Sequence, residues 1–183
     1  RFYALNATTG DTVWMQTNVQ HICVRKYKTR PCEVYSSAML AGGRRFQGSE
    51  DNTTRCFNAT TGQLLWQVPA GNAVDGTAVM DASGSVWIAS NDGFLYKLRA
   101  TDGTVLLRFP HCGRSQSQPA VDADRYRLFF TCYKPDTSPS VGTVFALDML
   151  TGQQLWKIDG AGGVPIVVSR NDTVFIAGFE GKQ

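Results

Sequence analysis

An all-β fold of repeated four-stranded units, a β-propeller, is what this 183-residue sequence predicts. Three observations carry that expectation. The string NATTGDTVW at 6–14 returns as NATTGQLLW at 58–66. Its glycine recurs as Gly10, Gly62, Gly103 and Gly152, each followed four residues later by Trp14, Trp66, Leu107 or Trp156. The runs upstream, such as Val86-Trp87-Ile88-Ala89, are apolar on both faces, as in a strand sandwiched between two layers. Short strands with regularly spaced turn signals, in units of some 40–50 residues that can bury their faces only on one another, make propeller blades.

The elements of one unit follow in order. Residues 36–49 (SSAMLAGGRRFQGS), 76–90 (GTAVMDASGSVWIAS), 117–132 (SQPAVDADRYRLFFTC) and 163–178 (GVPIVVSRNDTVFIAG) each give a short apolar strand, a polar hairpin turn and a second apolar strand. A Gly/Asp/Asn turn, a third strand, a Thr-Gly turn and an outer strand complete the unit. Glycine in the Thr-Gly turn supplies the positive φ that a tight turn needs. The tryptophan closes the blade by covering its neighbour, so Trp14, Trp66 and Trp156 are the expected docking residues. Residues 1–183 read as one domain, with blade units at approximately 164–183 plus 1–14, 15–66, 67–107 and 108–156. The strands of a blade are lettered A to D from the ring axis outward. The end carrying the D–A and B–C loops is the top, and the end carrying the A–B and C–D turns is the bottom.

The chain opens at a third strand, Phe2–Asn6, and stops before another third strand would begin. Two readings follow: a closed four-bladed ring, or four blades of a larger ring or assembly, which is the expectation adopted. The first residue is Arg1, so the sequence reads as a processed or partial chain.

Four segments share one register: ALNATTGDTVW (4–14), CFNATTGQLLW (56–66), KLRATDGTVLL (97–107) and ALDMLTGQQLW (146–156). They resemble the tryptophan-docking motif of the pyrroloquinoline-quinone-type (quinoprotein-like) propeller family. The resemblance covers nearly the whole chain except 15–34 and 134–142. It implies a propeller of seven or eight blades, and a choice among quinone-dependent dehydrogenases, bacterial outer-membrane assembly scaffolds and lumenal sensor domains. Dehydrogenases of the family carry adjacent cysteines against the quinone, a catalytic Asp and Ca²⁺ ligands. No adjacent cysteine pair occurs here, and no carboxylate cluster stands out. The expected cofactor is therefore none, the alternative being pyrroloquinoline quinone with Ca²⁺.

Composition narrows the rest. Hydrophobic residues make up 43% and charged ones 18%, ordinary for a globular chain, and the net charge of +3 is far below a nucleic-acid binder's excess. No apolar run has the length of a membrane-spanning helix. No nucleophile elbow, phosphate loop or zinc motif occurs. Asp75, Asp81, Asp122 and Asp124 lie in or beside turns, where aspartate has its own turn chemistry. His21 and His111 fall in D–A loops and are expected to be solvated.

Five cysteines lack metal-ligand spacing. Cys23 and Cys32 flank one top loop. Cys112 precedes strand A of its blade and Cys132 ends strand B, ends that antiparallel pairing brings together. The expected disulfides are Cys23–Cys32 and Cys112–Cys132, with Cys56 a buried free thiol. Four N-x-S/T sequons stand at Asn6, Asn52, Asn58 and Asn171. Disulfides and sequons together point to a secreted, extracellular or lumenal glycoprotein.

Residues 15–34 exceed the minimal blade, and their RKYKTR stretch carries Arg25, Lys26, Lys28 and Arg30 with no acid. These four cations are the candidate partner-binding residues; a solvated loop is the competing account. The expected function is a non-catalytic binding or structural scaffold. Its partner would be a protein, a further copy joined through open blade edges, or an anionic glycan. The alternative is a partial quinone-dependent dehydrogenase.

Overall fold

The computed structural model describes residues 2–16, 22–25, 28–31, 34–134, 141–160, 166–168 and 173–176. Those residues form strands and no helix. A first pair, β1 (Phe2–Leu5) and β2 (Thr12–Gln16), is followed by a hairpin of β3 (Ile22–Arg25) and β4 (Lys28–Pro31). Three four-stranded antiparallel sheets come next. They are β5 (Met39–Ala41), β6 (Arg44–Ser49), β7 (Thr53–Asn58) and β8 (Leu64–Pro69); β9 (Val79–Met80), β10 (Ser85–Ala89), β11 (Phe94–Arg99) and β12 (Val105–Pro110); and β13 (Ala120–Asp122), β14 (Arg127–Lys134), β15 (Val141–Asp148) and β16 (Gln154–Asp159). A final pair is β17 (Ile166–Val168) and β18 (Val174–Ile176). Within each complete sheet the strands pair in chain order, the meander expected of a propeller blade.

Successive sheets pack face to face, which is why inner strands such as β10 are apolar on both sides. Ser85–Ala89 is buried at every position. Phe46, Cys56 and Trp66 of the first sheet meet Val86, Ile88 and Leu98 of the second. On its other face the second sheet sends Trp87 and Leu95 against Leu128, Phe130 and Leu147 of the third. Phe129, Val144 and Ala146 of the third meet Val174 and Ile176 of the final pair. The result is an arc of stacked blades. Among the described residues β1 pairs with β2 and β18 with β17, so the two half-blades at the ends do not join into one sheet.

The repeated glycines show why the motif recurs. Gly62 and Gly103 hold positive φ, 74° and 77°. A Cβ on Gly62 would lie 2.9 Å from Trp14 Cε3, and one on Gly103 2.8 Å from Trp66 Cε3. Only glycine lets the indole of one blade lie on the C–D turn of the next. The indole nitrogen then donates to a carbonyl of that turn: Trp14 Nε1 to Ala59 O at 3.1 Å, and Trp66 Nε1 to Ala100 O at 3.0 Å.

The third junction solves the same problem with different residues. Leu107 replaces tryptophan and lies on Gly152. A leucine cannot donate, which would leave the Met149 carbonyl, the counterpart of Ala59 and Ala100, without its bond. Lys97 fills the gap. It is the cross-strand partner of Leu107, where Ala4, Cys56 and Ala146 stand opposite Trp14, Trp66 and Trp156. Its Nζ donates to Met149 O at 2.6 Å. The buried ammonium is balanced by Asp81, 3.3 Å away, and lies 5.1 Å from the Trp87 ring centroid. A small–Trp pair has thus become a Lys–Leu pair of similar bulk with the same hydrogen bond.

Lys97→Ala is expected to lower stability by about 3–5 kcal/mol, as when one partner of a buried ion pair is removed. Leu107→Trp alone should also destabilise, by about 1–3 kcal/mol, because the lysine already occupies the space. Together the two substitutions recreate the small–Trp pair and should recover most of the loss. Chemical denaturation of the four proteins measures that coupling; simple additivity would contradict the exchange.

Candidate functional site: the top face of the arc

Top-face loops are the D–A and B–C connections, and the structure shows what fixes them. In the B–C turn after β6, Asp51 accepts from Thr53 Oγ1 and from both terminal nitrogens of Arg55. Burial pushes the Asp51 carboxyl up, but these bonds outweigh it and hold the group below the usual carboxylate range. In the next blade Asp92 Oδ2 accepts from Tyr96 Oη at 2.6 Å and from Gly71 N at 2.8 Å, joining a B–C turn to a D–A loop. Burial, with Asp92 beside it, pushes the Tyr96 phenol up to about 12. Asn91 Nδ2 donates to Asp75 Oδ2 at 2.7 Å, and Ser115 N donates to Asn91 Oδ1 at 3.2 Å. Asp75, read from sequence as lying in or beside a turn, is buried and ties the D–A loop before β9 to the B–C turn of the same blade, while Asn91 makes the link to the next blade's loop.

The aspartates of the bottom face do behave as turn residues. Asp81 Oδ1 accepts from Ser83 N and Ser85 N, while Oδ2 accepts from Trp87 Nε1 at 2.9 Å. Burial raises its carboxyl, but the bonds from Ser83, Trp87 and Ser85 and the Lys97 charge more than offset that. Asp122 pairs with Arg127 and Arg125. Asp124 is exposed in the same A–B turn.

The predicted sites distribute as follows. Arg25, Lys28 and Arg30 lie on the β3–β4 hairpin, where Arg25 is opposite Lys28 and Cys23 opposite Arg30. Sequence reasoning saw an insertion there and missed the hairpin. Lys26, Cys32 and Asn171 lie outside the described residues, as does His21. Cys112 and Cys132 are disulfide-bonded, and Cys112 N donates to Cys132 Sγ. Cys56 is a free, buried thiol, and burial pushes it up to about 11, away from the reactive thiolate.

Asn6 and Asn58 cap their C–D turns: Asn6 Oδ1 accepts from Thr8 N and Thr9 N, and Asn58 Oδ1 from Thr60 N and Thr61 N. Asp148 does the same with Leu150 N and Thr151 N, which explains why the repeat exchanges Asn for Asp there. Asn52 is exposed at φ 65° in a B–C turn. Trp14 and Trp66 dock as described. Trp156 leans on Phe129 of its own sheet, ring centroids 5.7 Å apart, and covers no glycine among the described residues.

Between the tops of the second and third complete sheets lies a cavity of about 490 Å³, lined by His111, Cys112, Lys134, Phe145, Lys157 and Asp159 among others. His111 corrects the sequence expectation of a solvated imidazole. It packs edge-on to Phe130 and no well-aligned hydrogen bond reaches either ring nitrogen. Desolvation lowers it to about 4, against the opposing pull of the Phe94 carbonyl, the Asp92 charge and the Ser90 carbonyl. Next to it, Cys112 is tied by its disulfide to Cys132 of β14, the strand that carries Phe130. Among the described residues no three His, Cys, Asp or Glu side chains gather as for a metal. The described residues thus offer no clustered ligand set for the Ca²⁺ of a quinone centre. What they form is a set of rigid loops at one end of the blades.

Sequence reasoning also missed the polar junction between β2 and the first complete sheet. Arg45 is buried there, its Nη2 donating to Gln16 Oε1 at 3.1 Å and its guanidinium 4.3 Å from the Phe57 ring centroid. Desolvation lowers its affinity for the proton. The signal was present as Arg45 where other blades place Val86 and Leu128.

Comparison with known proteins decides the family. The family model of the outer membrane protein assembly factor BamB matches residues 1–70 and 50–182. The chain belongs to the BamB family of quinoprotein-like repeats. Among curated BamB proteins, that of Yersinia pestis is 35% identical over 130 residues, covering 64% of this chain and 31% of its own. That of Kangiella koreensis is 29% identical over 136 residues, covering 68% and 32%. The chain thus spans about a third of the length of these relatives. Among solved structures, BamB from Moraxella catarrhalis aligns with 68% of this chain and 37% of its own at TM-score 0.55 and 18% identity. The computationally designed Ika8 protein aligns with 97% of this chain and 52% of its own at TM-score 0.68 and 15% identity. These two structural likenesses concern the fold: the family is a β-propeller family, and the arc is a partial propeller.

The His111 environment makes stability depend on pH. Its folded value is lowered below the unfolded one near 6.5, so protons bind the unfolded chain first. Stability is full above about pH 6.5 and falls as pH drops toward 4, by as much as about 3 kcal/mol. Denaturation midpoints from pH 7 to 4 measure this, and His111→Phe should flatten that part of the curve.

Proposed function

We propose that this chain is a non-catalytic β-propeller scaffold that presents its top face to a protein partner. The observation that carries the reading is the β3–β4 hairpin, an addition to the D–A connection whose strands carry Arg25, Lys28 and Arg30. Rigid scaffolds concentrate binding in such connections. Family membership supports it, since the curated relatives are named as assembly factors. The four cations fit an acidic protein surface, and their attraction is screened by salt. Residues 1–183 act in this reading as one propeller domain.

The compartment proposed is extracellular, lumenal or otherwise oxidising, which the Cys112–Cys132 disulfide supports. Glycans at Asn6 and Asn58 would lie on C–D turns at the bottom. Their capping bonds use Oδ1, and no hydrogen bond engages either Nδ2 among the described residues. Asn171, in an A–B turn by sequence, would join them there, leaving Asn52 alone at the top. A bulky, solvating face leaves the opposite one for the partner.

Reversing Arg25, Lys28 and Arg30 to Glu should weaken partner capture at least tenfold at low salt and flatten its salt dependence, with the thermal melt unchanged. Binding isotherms at 50 and 300 mM salt test this. A footprint centred on the Thr-Gly turns would overturn the two-faced arrangement. Glycosidase treatment of protein from its native source should lower the intact mass, with peptide mapping placing the carbohydrate chiefly at Asn6, Asn58 and Asn171; carbohydrate confined to Asn52 would contradict it.

A further inference from the structure

The junction between the first and second complete sheets is closed at its top by the chain's own B–C turn. Asp92 Oδ2 accepts from Gly71 N of the D–A loop at 2.8 Å and from Tyr96 Oη at 2.6 Å. Phe94, two residues on, sets its ring edge-on to Tyr96, centroids 6.4 Å apart, and the Arg108 guanidinium lies 5.2 Å from the Tyr96 centroid on the same strand pair. An Asp-Gly-Phe segment thus supplies a carboxylate and an apolar ring to one spot. At the next junction the register places Cys112 where Gly71 stands, Phe145 where Tyr96 stands, Lys157 where Arg108 stands and Thr143 where Phe94 stands. Tyrosine has lost its hydroxyl and phenylalanine has shrunk to threonine. The turn has gone too, because β14 and β15 run on through the pairs Tyr133–Gly142 and Lys134–Val141. Among the described residues no carboxylate takes the place of Asp92.

The cavity of about 490 Å³ is what these exchanges leave. It lies within the range of small-ligand sites, roughly 300–1,000 Å³, and is far larger than a single ion needs. Its inner wall is apolar: Phe145, stacked on Phe130 at 5.1 Å between centroids, with Pro110 beside it. His111 completes that wall in its uncharged form at neutral pH, its value lowered to about 4 by desolvation. The mouth is charged. Lys157 Nζ lies 3.3 Å from Asp159 Oδ2, and Thr143 Oγ1 donates to Asp159 Oδ1 at 2.8 Å. The Thr143 and Lys157 bonds, with the charges of Lys157 and Lys134, hold the Asp159 carboxyl below the usual carboxylate range, so both ammonium groups bear on one part of the rim. The charged residues lining the cavity are thus two cations, Lys134 and Lys157, against one anion. The rim favours an acid, and the wall favours an apolar body.

We propose that this cleft binds a peptide segment of a protein partner in which an acidic residue stands beside a bulky apolar one. The carboxylate lies against Lys134 and Lys157, and the apolar side chain lies on Phe145 and Pro110. A peptide is the occupant because a peptide segment, Asp92-Gly93-Phe94, fills the corresponding space one junction earlier with this chemistry. Both sheets that form the cleft are complete. The inference does not rest on the β3–β4 hairpin.

The probe is the peptide acetyl-Asp-Gly-Phe-amide, titrated while the ring protons of His111 are followed by NMR. His21 is the other histidine, and His111→Phe tells the two apart. The His111 signals should shift with a dissociation constant on the order of 1 mM, as for a short flexible ligand. The Asn-Gly-Phe peptide should bind about fivefold more weakly, and the Asp-Gly-Ala peptide about tenfold more weakly. Lys134→Gln with Lys157→Gln, both at exposed positions, should weaken the Asp-Gly-Phe peptide about fivefold and leave the melt unchanged. Asp159→Asn, which removes the competing carboxylate, should tighten it about threefold. The Glu variant of Arg25, Lys28 and Arg30 should bind it as the parent does, which separates this site from the hairpin. No shift at His111 up to about 10 mM, or equal binding of the Asp and Asn peptides, would overturn the proposal. So would tighter binding after Asp136→Asn, which would mean that the chain's own loop holds the place. Preference for free N-acetylphenylalanine over the peptide would also overturn it, by making the occupant a small acid.

Discussion

An aromatic plate lying on a glycine holds this arc together. Each blade is a small sheet with two faces to bury, and neither face can be buried by its own strands. The Trp14–Gly62 and Trp66–Gly103 contacts set the distance and angle at which one sheet meets the next, because the indole must both lie on the bare Cα and reach a carbonyl of the turn. That double requirement converts non-directional burial into a defined stacking geometry. The apolar clusters between sheets then fill the space that the docking contact leaves.

The Leu107–Gly152 junction shows which half of the contact is harder to give up. The ring itself can be replaced by an aliphatic side chain, but the buried carbonyl still needs a donor. Lys97 supplies one, and its charge then requires Asp81. A substitution in the outer strand has in this way recruited a residue of the third strand and one of the A–B turn. Buried polar groups propagate such demands because each unpaired atom costs more than its bond returns.

The proposed function places binding at the blade ends rather than on the stacked faces. The docking contacts hold the sheets, the buried pairs Asp51–Arg55 and Asn91–Asp75 hold the loops, and Cys112–Cys132 pins one connection to its sheet. A surface fixed in this way suits recognition of a partner.

The sequence by itself determined the unit: strand order, the turn that needs glycine, the docking of Trp14 and Trp66, and the Cys112–Cys132 pair. These follow from local chemistry, since positive φ, alternating apolar positions and Asn or Asp caps act within a few residues of themselves. The basic stretch was also legible as an insertion, though not as a hairpin, because no alternation marks β3 and β4. Only the tertiary structure decided what lies across a junction. Lys97 reads as an odd residue in an alanine column until Met149 is seen beside it, 52 positions away. His111 reads as a loop histidine until Phe130 is seen packed against it. Burial and partner choice depend on which blade stands next in space, and neighbouring residues do not encode that.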